Sequence, residues 1–177
     1  MRRLAIVLAG VVLVLGGVVV LQLVLSSRDD ADVSGAAAGP GELQRDLGSK
    51  HLPPGQHIPL EGLTDPPTSG AHHPRLVTRD GTVLSPDEIL HALELGDVIL
   101  FYGDAKPPAA LRALQDDVSG RFDAEVAAAG QQVILARRPG VRGVTAAAWR
   151  RLLRAPGADD PALRSFAEVW LGRGARG

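Results

Sequence analysis

The chain contains no cysteine among its 177 residues. That absence excludes disulfides, thiol catalysis and thiolate ligation, and leaves nitrogen and oxygen as the donors for any metal. Aromatic residues make up only 3% of the chain and the formal net charge is −1. A nucleic-acid binder would show a strongly basic face and stacking platforms, so nucleic acid is not an expected partner. There is no Walker-type glycine loop and no internal repeat. Thr68 and Ser69 lie near histidines but lack a nucleophile elbow or an oxyanion loop, so no hydrolase is read from them. The pairs Asp116-Asp117 and Asp159-Asp160 fall at predicted helix ends, where neighbouring side chains diverge, so neither forms a shared carboxylate dyad. No reaction is legible.

What the sequence has in abundance is apolar residues at its start. Leu4 to Leu25 carry no charge and only Gln22 as a strongly polar side chain. Roughly 22 residues at ~1.5 Å each give ~33 Å, enough to cross a hydrocarbon core of ~30 Å. The run is longer than the ~7–15 residues of a cleavable signal and ends in Ser26-Ser27-Arg28, so it reads as an uncut transmembrane signal-anchor over residues 1–25. Arg2 and Arg3 precede it, whereas Arg28 is offset by Asp29 and Asp30. The expected placement is therefore a cytoplasmic N-terminus and an extracytoplasmic C-terminal domain in the cell membrane.

Residues 26–50 are small and polar without an apolar period and read as a flexible tether. Residues 51–177 suffice for one globular domain. Ser85-Pro86-Asp87-Glu88 combines a cap, a proline at the first helical position and a capping-box glutamate, predicting a helix to Leu95 closed by Gly96. A buried strand follows to Tyr102. Leu111, Leu114 and Val118 predict a helix ending near Ser119-Gly120, a short helix follows through Glu125-Val126, and Gln132 to Ala136 reads as a second strand. Val141 to Val144 reads as a short partner strand. Thr145 then caps an expected helix carrying Trp149, Leu152 and Leu153, and Asp160-Pro161 starts a last helix with Leu163, Phe166 and Trp170 on its apolar stripe. Both tryptophans are expected as core anchors on helices. The sum is an α/β or α+β domain, a small sheet covered by helices.

The stretch DPPTSGAHHP, Asp65 to Pro74, is a rigid loop: its prolines fix φ, Gly70 is free to take positive φ, and His72 and His73 are held within it. Together with HIP at His57–Pro59, PPTSGAH at Pro66–His72, HALELG at His91–Gly96 and VTAAAW ending at Trp149, it resembles a bacterial family, domain of unknown function 3105. The resemblance covers roughly residues 51–172. It implies a membrane span followed by one outer domain, and no activity. The family pattern resembled here is PPTSGPH followed by HNLEHG, so this chain departs from it at Leu95, which breaks an i, i+4 histidine pair.

His57, His72 and His91 remain as candidate metal ligands, with Glu94 one turn beyond His91. At ~100° per residue, Asp87, His91 and Glu94 share a helix face away from Ile89, Leu90 and Leu93, so His91 is placed to meet the loop carrying His72. Imidazoles with a carboxylate suit zinc or copper(II). Two readings stand: a divalent-metal site, or histidines that buttress turns in a non-catalytic envelope interaction module with a degenerate site. His51, beside the tether, is read as a bland surface residue. Arg137, Arg138, Arg142, Arg150, Arg151 and Arg154 read as a solvated face, with anionic lipid headgroups as the alternative.

Overall fold

The computed structural model describes residues 39–59 and 61–175. The apolar run Leu4–Leu25 lies outside these, and no described helix is long and apolar enough to cross a membrane. From Pro40 onward the chain forms one compact unit of the α+β class. Its strands are β1 (Glu42–Leu43), β2 (Val98–Tyr102), β3 (Val133–Arg137), β4 (Val144–Ala148) and β5 (Arg151–Ala155). Its helices are α1 (Pro86–Leu95), α2 (Ala109–Ser119), α3 (Ala124–Ala128) and α4 (Pro161–Trp170).

The strands make one sheet in the order β1-β5-β4-β2-β3. β2 and β3 run parallel, with Val98 opposite Val133, because α2 and α3 carry the chain back between them. The remaining pairs are antiparallel. β2 is buried along its whole length and its residues alternate between two cores. Val98, Leu100 and Tyr102 pack with Leu111 and Leu114 of α2 and Leu163 and Phe166 of α4. Ile99 and Phe101 pack with Ile89, Ala92 and Leu93 of α1 and Ala127 of α3. Helices thus cover both faces.

The expected helix from Thr145 is a hairpin instead. β4 and β5 pair with Ala148 opposite Arg151, leaving Trp149 and Arg150 as the turn. The alanine-rich segment VTAAA has high helix propensity, but in this context it fills the sheet: Ala146 and Ala148 face one core and Ala147 the other. Of the two tryptophans, Trp170 sits on α4 and Trp149 in the turn, and both are half-buried against the cores.

The segment expected as a tether over 26–50 is partly structural. Within it β1 pairs with β5, Glu42 opposite Leu152, and Trp170 Nε1 donates to the Pro40 carbonyl at 2.8 Å. From Pro40 the chain is part of the folded unit, and Arg45–Leu52 runs as an extended strap along the proline-rich loop.

Candidate metal centre

Helix α1 supplies the rigid base of the site. Its first turn is closed by a capping box in which the Glu88 backbone donates to Ser85 Oγ and the Glu88 carboxylate accepts from the Ser85 N–H. Asp87 projects from that same turn and takes hold of the loop: its Oδ1 accepts from the His73 backbone N–H at 2.7 Å and lies 3.1 Å from His73 Nδ1. His91 and Glu94 follow on the same helix face.

The residues of PPTSGAH stitch the loop to the strap. Ser69 Oγ donates to the Arg45 carbonyl at 3.0 Å and accepts from the Leu47 N–H at 3.1 Å. Gly70 N–H donates to the Gly48 carbonyl, His72 N–H to that of Lys50, and Leu52 N–H to that of His72. Gly70 has φ +139°, and a Cβ there would sit 3.0 Å from Leu63 Cδ2, so this position favours glycine. Thr68 anchors the other side, its carbonyl accepting from the Arg150 N–H in the β4–β5 turn. Thr68, Ser69, Gly70 and His72 are thus each tied to a partner outside the loop or to its backbone path. The pairing also brings His51 of the strap opposite His72 in a parallel bridge.

Four side chains converge there. One donor atom each from His51, His72, His91 and Glu94 lies within 4.8 Å of all the others. Glu94 Oε2 is the hub, at 2.8 Å from His51 Nε2, 3.1 Å from His72 Nε2 and 3.5 Å from His91 Nδ1. A tetrahedral zinc site with bonds of ~2.05 Å has ligand–ligand edges of ~3.3 Å, which these distances bracket. The three rings surround the carboxylate almost evenly, with centroids 5.2, 5.4 and 5.6 Å apart. His72 is fully buried, His91 and Glu94 nearly so, and His51 is 47% exposed, so solvent reaches the cluster past His51.

The electrostatics favour ligand forms. Burial first, and then the neighbouring His72, hold His91 below its ordinary value, against the pull of Glu94. Burial pushes Glu94 up, but the hydrogen bond from His51 and the charges of the surrounding imidazoles together outweigh it and hold the carboxyl below its usual range. Near neutrality the cluster is thus a carboxylate beside a neutral His91. His72 Nδ1 donates to the Gly70 carbonyl at 2.9 Å, which fixes the ring with Nε2 3.1 Å from Glu94 Oε2. That nitrogen is buried without a hydrogen-bond partner, as is His91 Nδ1.

Of the expected ligands, the structure brings His72 and His91 together and leaves His57 apart, in a surface cleft with Gln56, Ile58, His73 and Asp87. His51, read as bland, takes the third imidazole position. Leu95 is outside the cluster, and Glu94 at i+3 is the helix partner of His91.

The class defined by these features is an α+β domain with a cluster of three histidines and one carboxylate, assembled from a helix, a proline-rich loop and an N-terminal strap. The chain belongs to the family described as "Protein of unknown function (DUF3105)", which matches residues 55–175. That span includes His72, His91 and Glu94, and His51 precedes it. Neither the curated proteins nor the solved structures gave a match.

Proposed function

We propose that this domain binds one divalent transition metal, zinc or copper(II), through His51, His72, His91 and Glu94. The observation that carries the reading is His72 Nε2: a buried ring nitrogen without a hydrogen-bond partner, 3.1 Å from a carboxylate oxygen. Such a contact calls for a cation. A ring proton would serve for one histidine, but three imidazoles aim at the same oxygen, and one carboxylate cannot balance three positive rings. A single divalent ion meets all four donors at once. The thiol-free donor set of three nitrogens and one oxygen suits the two metals named.

The test is calorimetric titration of the full chain in detergent with zinc, together with the nitrogen hyperfine pattern of bound copper(II). One equivalent bound at micromolar metal, with loss of binding in His72→Ala, is expected. Absence of binding by the intact chain would leave the domain as a non-catalytic envelope interaction module with a degenerate site. No reaction is proposed.

The placement belongs to the same reading: anchored by residues 4–25, with the metal domain on the extracytoplasmic side. Its support is the uncharged run and the arginines before it. Resistance of the chain to carbonate extraction, and digestion of the domain by protease added to intact spheroplasts, are the expected results.

A further inference from the structure

We propose that the groove between the β4–β5 turn and the C-terminal end of α4 docks the anionic headgroups of phospholipids. The groove is lined by Trp149, Arg150, Arg151, Trp170 and Arg173, with Asp46 at its edge. Two of its three arginines are placed by an aromatic ring and not by a carboxylate. Arg112, Arg138 and Arg164 are each paired with an aspartate: Asp80, Asp65 and Asp117. Arg151 and Arg173 have no carboxylate within ion-pair distance among the described residues. They lie over the Trp170 ring instead, at 4.6 and 5.8 Å from its centroid. Stacking holds a guanidinium in place without using its N–H donors, which is the arrangement that suits a phosphate. Arg150 sits 3.3 Å from Asp46, and its Nε is buried without a hydrogen-bond partner. Three guanidiniums therefore face one carboxylate.

Chain continuity points to lipid as the source of the anion. Trp170 Nε1 donates to the Pro40 carbonyl, so the chain enters the folded unit beside this groove. Only fourteen residues, 26–39, lie between the apolar run and Pro40, at most ~50 Å of fully extended chain. Half-buried tryptophans beside arginines fit a headgroup layer, where an amphipathic ring and a cation are both accommodated. The docking rests on the anchor reading, and the experiment separates the two.

Trp149 and Trp170 are the chain's two tryptophans, so its indole fluorescence reports on the groove. The full chain is reconstituted into vesicles in which every lipid carries the same brominated chains, either phosphatidylcholine alone or an equimolar mixture with phosphatidylglycerol. Quenching about twofold stronger in the anionic vesicles is expected, with the difference abolished by molar salt and by Arg151→Glu with Arg173→Glu. Arg173→Gln, at an exposed position, is the second variant and should weaken the difference without altering the circular dichroism. Equal quenching in the two lipids, with the chain retained after carbonate treatment, overturns the docking while leaving the anchor intact. If carbonate strips the chain from both vesicle types, the anchor reading fails. Docking is then judged by flotation, where co-migration with the anionic vesicles alone at low salt supports it and no co-migration overturns it.

Discussion

His72→Ala removes a donor that is buried and already oriented by the Gly70 carbonyl. Loss of an outer-shell partner alone costs ~10–100-fold in metal affinity, so this substitution should cost more than that, read by competition with a chelator of known affinity. His57→Ala should leave affinity unchanged, since that ring lies in a different cleft. His51→Ala separates the strap's contribution: with His72, His91 and Glu94 kept, the expected result is weakened binding with one equivalent still taken up at higher metal. The residues show what a sequence holds and what it does not. The rotation of α1 is a local property, and it places Asp87, His91 and Glu94 on one face, where Asp87 meets His73 and the other two meet the cluster. The i+4 histidine of the family pattern is Leu95 here, and Glu94 at i+3 meets His91 at 3.5 Å. His51 carries no local mark, since it arrives through hydrogen bonds to residues about twenty positions away, and no spacing rule contains such a register.

Among the elements, α1 joins the fold to the site, and its capping box is legible directly from Ser85-Pro86-Asp87-Glu88. Ser85→Ala should lower stability by ~1 kcal/mol, measured from urea midpoints, because it orphans the Glu88 N–H at the first turn. The same variant should lower metal affinity only slightly, since His91 and Glu94 lie beyond the turn it loosens. The α1–β2, α2, β3 and α4 segments follow their local signals because each has a side-chain cap, a compact apolar run or, in α2, an apolar stripe closed by Gly120. The β4–β5 hairpin does not. Its turn residues are Trp149 and Arg150, with the positive φ of 58° on arginine rather than on glycine or asparagine, and its strands are made of good helix formers. Pairing with β2, where Ala146 faces Leu100 and Ala147 faces Ile99, decides the matter, and that pairing is nonlocal.

For the whole molecule, Asp97 ties stability to pH. It is buried at the start of β2, where its Oδ1 accepts from the Gln132 N–H at 2.8 Å and its Oδ2 has no partner. Burial pushes its carboxyl up to about 8, against the pull of that backbone hydrogen bond. The unfolded chain releases this proton near pH ~3.9, so between about pH 4 and 8 the folded form holds more protons and stability falls as pH rises. Asp97→Asn keeps the acceptor and removes the ionisation. Its stability relative to the parent chain should therefore increase from pH 5 to pH 8, read from urea midpoints at both. Metal acts on the same equilibrium: at 100 times its dissociation constant a ligand bound only by the folded state adds ~2.7 kcal/mol, so zinc should raise the melting temperature and His72→Ala should cancel the rise.

Tension on the N-terminal chain reaches the strap once the Trp170–Pro40 hydrogen bond and the β1–β5 pair ahead of it have opened. The strap's hydrogen bonds to the loop would open one after another under load, but an ion shared by His51 and the two α1 donors would fasten that edge to a helix. In a force spectrometer, with the chain gripped ahead of Pro40 and at its C-terminus, the metal-loaded protein should yield at a higher force than the same protein after chelator. The domain would then be able to convert the availability of an ion into mechanical resistance.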